Sequence, residues 1–236
     1  NCYFIVVFLY IIRIRGFFIM KTNIIIPAYN NQLLIDKLLV KIKKYYSHPL
    51  VIIDDGSETP IEIKDMDNLE LIRNQINRGK GYSLQKALKY SYEKGYDFSI
   101  TIDSDLQHDP YFISDFINVS SDYDLVLGRR NFNQKMPYLR RFSNTVTSLI
   151  ISKLSGLKIH DSQCGYRRYN LSKFNSCNYI ETGFQFESEI IIKFSKLNAK
   201  FKHVNISTIY GDEKSSMAHF SDTIKFIKMI FKNLGS

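Results

Sequence analysis

The sequence predicts an α/β fold: a single domain with a mostly parallel sheet flanked by helices. Three observations predict it. Short runs such as Asn23-Ile24-Ile25-Ile26-Pro27 and Leu50-Val51-Ile52-Ile53 are apolar along their length, as strands covered on both faces must be. Stretches with helical periodicity separate these runs, which is the pattern of βαβ units. Polar clusters then follow the runs at Pro27–Asn31, Asp54–Ser57 and Asp103–Gln107. In parallel sheets, ligands bind beyond the carboxyl ends of the strands.

The chain has 236 residues, 44% hydrophobic and 23% charged, which is enough for one sizeable globular domain. In order, a strand at 23–27 leads through the Ala28–Asn31 turn into a helix from Gln32 to Tyr46, with Leu34, Leu38, Leu39 and Ile42 on one face. Strands at 50–53 and 69–72 follow. The Asn77–Gly81 loop precedes a helix from Tyr82 to Lys94, and Phe98–Ile102 is the fourth strand. Pro110 can open a helix, because its missing N–H costs nothing there, and this helix is expected to run to Val119. A short strand at 124–128, a helix from Pro137 to Leu154, an irregular stretch at 159–170, a helix from Glu187 to Lys196, a strand at 201–209 and a last amphipathic helix at 222–233 complete the domain, taken as residues 21–236.

Residues 1–20 differ in character. Cys2 to Ile12 is almost wholly apolar, about half of the ~20 residues a spanning helix needs, and Arg13 and Arg15 follow the apolar run instead of preceding it. Three readings stand: an apolar extension outside the working protein, an interfacial anchor, or an added strand or helix.

The richest stretch is Asp103-Ser104-Asp105-Leu106-Gln107-His108. Residues i and i+2 of an extended or gently turning chain point the same way, so Asp103 and Asp105 converge just past a strand, and Gln107 adds a neutral oxygen. Such an all-oxygen set suits Mg²⁺ or Mn²⁺ rather than zinc, with positions left for phosphate oxygens. A solvated turn is the plainer reading of this spacing taken alone. Asp54 or Asp55 is a candidate to grip a nucleobase N–H or a ribose hydroxyl, and Tyr29 to stack on the base. Lys80, at a helix start, can reach a phosphate. Arg129, Arg130, Arg140 and Arg141 form a basic set whose forks match phosphate oxygens.

The net charge of +9 favours anionic partners. No zinc-finger spacing or aromatic RNA-binding box is present, so nucleic acid is set aside in favour of phosphates and a membrane surface. Cys2, Cys164 and Cys177 lack metal-ligand spacing, which argues for a reducing compartment.

Together these residues resemble the inverting family-two glycosyltransferases of GT-A (Rossmann-like) fold, and within them the polyprenyl-phosphate branch typified by dolichyl-phosphate mannose synthase. The similarity runs from about Asn23 to Lys232. It is carried by Pro27-Ala28-Tyr29-Asn30, Asp54-Asp55-Gly56-Ser57, Asn77-Arg78-Gly79-Lys80-Gly81, Asp103–His108, Gly128-Arg129-Arg130, Arg141-Phe142-Ser143 and Asp161–Arg167. Lys214-Ser215-Ser216 departs from the family's Ser-Lys near the distal loop, and Asn205 stands where a Pro is expected.

The resemblance implies a metal-dependent hexosyltransferase with a nucleotide-diphosphate sugar donor of GDP-mannose or UDP-glucose type. Pro27, Tyr29, Asp54, Asp55, Lys80 and Asp103 would bind the donor, and Asp103, Asp105 and Gln107 would bind Mg²⁺ or Mn²⁺. Arg130 and Arg141 would hold a lipid-phosphate acceptor at the cytoplasmic face of the membrane. A separate membrane partner stays open. A hydroxyl acceptor in cell-surface polysaccharide synthesis is the alternative; it would need a base, for which Asp161 is the candidate. A non-catalytic nucleotide-binding module is the remote alternative.

Overall fold

The computed structural model describes residues 20–47, 49–63, 67–130, 138–209 and 219–234. The segment read as an apolar extension, apart from Met20, lies outside the described residues, as does Lys214-Ser215-Ser216.

Seven strands form one sheet: β1 (Thr22–Ala28), β2 (Leu50–Asp54), β3 (Leu69–Arg73), β4 (Phe98–Thr101), β5 (Leu125–Arg130), β6 (Arg167–Asn170) and β7 (Phe201–Ile206). Their order is β3-β2-β1-β4-β6-β5-β7. All neighbours pair in parallel except β6, which runs antiparallel to both β4 and β5. The helices are α1 (Gln32–Lys43), α2 (Lys80–Glu93), α3 (Ile113–Ile117), α4 (Tyr138–Ser155), α5 (Leu171–Asn175), α6 (Phe186–Lys196) and α7 (His219–Leu234).

The apolar runs behave as their composition requires. In β1, Ile24 and Ile26 enter one core with Leu38 and Ile42 of α1, while Ile25 enters the opposite core with Leu84 and Leu88 of α2. Alternate side chains thus fill two layers, each fully buried isoleucine contributing about 1.5–3 kcal/mol of transfer free energy. The two edge strands, β3 and β7, are mostly exposed or half-buried, whereas each inner strand is buried at all but at most one position.

Three expectations are corrected. The helix from Pro110 to Val119 is a 3₁₀ turn at Pro110–Phe112, capped by Asp109 accepting from the Tyr111 N–H at 3.0 Å, followed by only one turn of α3. The last strand ends at Ile206, and beyond it Thr208 makes an isolated bridge to His108. The stretch at 159–170 contains a strand, β6, inserted into the middle of the sheet, and the short helix α5 follows it. The sequence Arg-Arg-Tyr-Asn carries no hydrophobic strand pattern, because its charges are met by carbonyls. Arg167, fully buried, donates to the carbonyls of Ser162, Cys164 and Glu187. Arg168 donates to those of Phe116, Val119, Ser120 and Tyr123, and its guanidinium lies 4.5 Å from the Phe98 ring centroid.

This arrangement generates a stability prediction. Arg167→Met strands three carbonyls in the interior, at a cost of about 3 kcal/mol or more. The urea midpoint should fall accordingly, whereas Arg78→Met, on an exposed side chain, should change the stability by less than about 0.5 kcal/mol.

Candidate active site

The carboxyl ends of β1, β2 and β4 open onto a cavity of about 1060 Å³. Its floor is the turn after β4. Asp103 and Asp105 both line it, with Gln107 and His108 beside them. Leu106 adopts the left-handed region at φ 61°, unusual for a leucine, and the Gln107 N–H donates to Asp105 Oδ1 at 3.0 Å, closing the turn. The i, i+2 spacing therefore acts through a tight turn, not an extended strand.

Asp103 is held by two neighbours. A Cβ built on Gly165 would overlap its carboxylate, so any side chain there would push the Asp103 carboxylate out of place. On the other side, Lys80 Nζ lies 2.7 Å from Asp103 Oδ1 and 2.8 Å from Glu187 Oε1. Burial disfavours the ammonium, but the two carboxylates outweigh it and raise the Lys80 pKa above its ordinary value. Burial likewise pushes the Asp103 carboxyl up, and Lys80 with its neighbours more than reverses this, leaving it lowered. His108 is buried, and burial pushes it down to about 4 against the pull of Asp103, so the ring is neutral near pH 7; its Nδ1 has no hydrogen-bond partner.

The turn after β2 differs from expectation. Asp54 does not line the cavity. It is fully buried, accepts from the Ser57 N–H and Oγ–H at 2.9 and 2.6 Å, and pairs with Arg73. Burial raises its pKa, but these contacts outweigh it and hold the carboxyl low. Asp54 is a structural anchor of the turn. Asp55 is on the cavity wall, and its oxygens accept from Asn74 Nδ2, Ser83 Oγ and the Arg78 and Gly79 N–H groups. It fixes the Asn77–Gly79 loop. Pro27 and Tyr29 line the same wall, with the Tyr29 ring exposed.

The basic set divides. Arg130 reaches the cavity, and Asp161 grips it from behind: Arg130 Nε to Asp161 Oδ2 is 2.6 Å and Nη2 to Oδ1 is 2.9 Å. Burial works against the Asp161 carboxylate, but Arg130 overcomes it, so the carboxyl lies below the usual range. Fully buried and engaged through both oxygens, Asp161 is not placed to take a proton from a hydroxyl. That corrects its candidacy as a base and makes it the group that orients Arg130. Arg141 is exposed on the first turn of α4 and is not part of the cavity wall, because the neighbouring Phe142, Val146 and Ile150 supply the facing stripe. The side chain of Arg140 lies outside what is described.

Two cavity residues, Gln185 and Glu187, escaped the sequence reading, which took Glu187 only as the first residue of a helix. The available signal was two polar residues alternating with Phe184 and Phe186 ahead of an isoleucine-rich helix. Phe226 and Ile227 of α7 join the α4 stripe as an apolar flank.

The donor set fits a hard cation. Asp103, Asp105 and Gln107 present only oxygen ligands, and an ammonium already sits on Asp103. Among the described residues no three His, Cys, Asp or Glu side chains cluster to hold a metal. Asp103, Asp105 and Gln107 would supply only part of a coordination sphere, leaving positions for phosphate and water.

One prediction concerns the Arg130–Asp161 pair. With the folded pKa of Asp161 below its unfolded value of about 3.9, the pair's stabilisation is complete above that value and is lost as pH falls through the folded pKa. Asp161→Asn should cost about 3 kcal/mol at pH 7, and its deficit against wild type should shrink below about pH 4 in urea titrations.

Similarity to known proteins follows the same lines. The chain is 29% identical to the UDP-N-acetylglucosamine–dolichyl-phosphate N-acetylglucosaminyltransferase of Methanococcus voltae, over 89% of this chain and 94% of that one. It is 25% identical to the undecaprenyl-phosphate 4-deoxy-4-formamido-L-arabinose transferase of Photorhabdus laumondii, over 84% of this chain and 64% of that one. The fold matches the GT-A glucosyl-3-phosphoglycerate synthase of Mycobacterium tuberculosis, solved with Mg²⁺ and UDP, with a TM-score of 0.74 at 17% identity, over 92% of this chain and 80% of that one. The sequence model described as glycosyl transferase family 2 matches residues 23–193, and the chain belongs to that family, with the GT-A fold.

Proposed function

We propose that this chain transfers a sugar from a nucleotide-diphosphate sugar to a polyprenyl or dolichyl phosphate at the membrane surface. One observation carries this reading. A single cavity joins an oxygen-rich acidic turn, the half-buried Lys80 ammonium and the clamped Arg130 to an apolar flank made by α4 and α7. A sugar diphosphate suits the first part, a lipid phosphate the second. The named acceptors of the M. voltae and P. laumondii relatives are lipid phosphates of this class, which supports the reading. The donor is of the UDP-sugar or GDP-sugar type.

Pro27 and Tyr29 form the wall on which the base is expected to lie, with Asp55 holding the adjoining loop in shape. Asp103, Asp105 and Gln107 would hold Mg²⁺ or Mn²⁺, which as a Lewis acid would neutralise charge gathering on the leaving nucleotide. Arg130, fixed by Asp161, positions the acceptor phosphate. That phosphate is already an anion and attacks the anomeric carbon without a general base, in keeping with the locked state of Asp161. Catalysis then rests on positioning and electrostatics.

The same two helices present an apolar face to the outside. Tyr138 is 80% exposed and Leu149 70% on α4, and Phe231 71% on α7, where Lys225, Lys228 and Lys232 are also exposed. Among the described residues no helix is long and apolar enough to cross a membrane. An interfacial seat on an anionic leaflet fits this surface, each nearby basic residue adding about 1 kcal/mol, and the cytoplasmic face is the side proposed. A separate membrane partner is compatible with it.

Two experiments test the reading. Labelled UDP- and GDP-sugars incubated with protein, polyprenyl phosphate and Mn²⁺ should yield chelator-sensitive label in the organic phase, and Asp105→Ala should lower it at least about 100-fold. Donor consumed without labelled lipid would shift the acceptor to a hydroxyl, and no turnover at all would favour the binding module. Separately, Leu149→Glu/Phe231→Glu should weaken co-sedimentation with anionic vesicles about tenfold or more; undiminished sedimentation would refute the surface assignment.

A further inference from the structure

The proposed reaction explains why Lys80 is near the donor, but not why it is held by two carboxylates. Lys80 is the first residue of α2, the end of a helix where a positive charge is least welcome. Its ammonium must therefore be met by acids, and the chain is shaped to supply them. Glycines flank it on both sides. A Cβ at Gly79, whose φ is +96°, would overlap the Thr182 carbonyl, and one at Gly81 would overlap that of Gly183. This close approach lays residues 181–187 across the start of α2. The Tyr82 N–H donates to Thr182 O at 3.0 Å, and Gln85 Nε2 to Glu181 O at 2.7 Å. The Glu187 carbonyl is tied down by Arg167. The Glu187 side chain, only 5% exposed, is thereby delivered to Lys80 Nζ at 2.8 Å while Asp103 sits at 2.7 Å on the other side.

Asp103 is also the carboxylate proposed above to hold a divalent cation. An ammonium in contact with Asp103 Oδ1 occupies one of the oxygens such a cation requires, and two cations a few ångströms apart repel. We propose that Lys80 is a resident counter-ion for Asp103 that must withdraw for a divalent cation to bind, and that Glu187 is the tether that retains it. Withdrawn from Asp103 and still on Glu187, the ammonium stays at the helix start facing the cavity, where a diphosphate oxygen becomes its new partner. The site thus accepts metal and nucleotide diphosphate together and disfavours metal alone. This inference rests on the metal-dependent donor reading.

The test measures Mn²⁺ affinity by electron paramagnetic resonance and calorimetry, without and with UDP, and with GDP in parallel. Lys80→Met should bind Mn²⁺ alone about tenfold more tightly than wild type, and the gain in Mn²⁺ affinity on adding nucleotide should be smaller than in wild type, within the 5–150-fold range usual for coupled sites. Glu187→Gln, which keeps the cation but removes its tether, should bind Mn²⁺ several-fold more weakly. Equal Mn²⁺ affinities in wild type, Lys80→Met and Glu187→Gln, with nucleotide coupling intact, would overturn the exchange and leave the metal reading standing. Failure of wild type to bind Mn²⁺ even with either nucleotide would overturn both. A crystal structure of the wild-type Mn²⁺–nucleotide complex separates exchange from action at a distance. Lys80 Nζ should lie beyond hydrogen-bond reach of Asp103 and remain on Glu187; a retained Lys80–Asp103 contact would refute the proposal.

Discussion

The site depends on the burial of one guanidinium. Arg167 has no solvent exposure, and its donors go to the carbonyls of Ser162, Cys164 and Glu187. Those three carbonyls belong to two separate pieces of chain. The first piece carries Asp161, which clamps Arg130, and Gly165, against which Asp103 lies. The second begins α6 and carries Glu187 to Lys80. Two pieces of chain that share no secondary structure are thus set at a fixed distance by a planar, permanently charged fork, a task suited to arginine and beyond a lysine.

A chain with net charge +9 builds its site around acids. The acids are not alone: Asp54 has Arg73, Asp161 has Arg130, and Asp103 and Glu187 share Lys80. Burying any of these carboxylates without its cation would cost several kcal/mol. Part of the positive balance is consumed inside the protein, and the remainder lies on surfaces such as the outer side of α7. The same kind of pairing holds the acids that meet the cavity and those that do not, so what separates them is which face of each pair is turned to the cavity.

The sheet's parallel half was legible because its residues speak through burial alone. A run such as Ile24-Ile25-Ile26 has only one environment that suits every side chain, and the acidic turns follow where such runs stop. The pairing partners of charged residues were not legible, since they depend on long-range geometry. Asp54 and Asp55 are adjacent and chemically identical, yet one turns inward to Arg73 and the other toward the cavity wall. Asp161 read as a candidate base because its contact with Arg130, 31 residues away, cannot be seen in one dimension. Strand β6 was hidden by its arginines, whose partners are backbone oxygens that no side-chain pattern reports. Glu187 was hidden by its place in a helix whose first turn ordinarily tolerates acids.

The position of β6 bears on how the chain can be made. Strands β4 and β5 do not pair with each other; each pairs with β6, and Thr101 is matched with Arg167, while the Thr101 hydroxyl donates to Gly165 O across 64 residues of sequence. Until the ribosome has delivered residues 165–170, β4 and β5 each present an open edge, the kind of surface on which strands of other molecules assemble. Residues 161–165, just ahead of β6, bring Asp161 to Arg130 and Gly165 to Asp103. The gap between β4 and β5 therefore closes together with the seating of Asp103 and Arg130, before β7, Glu187 and α7 are added, and a nascent chain halted before residue 161 has neither.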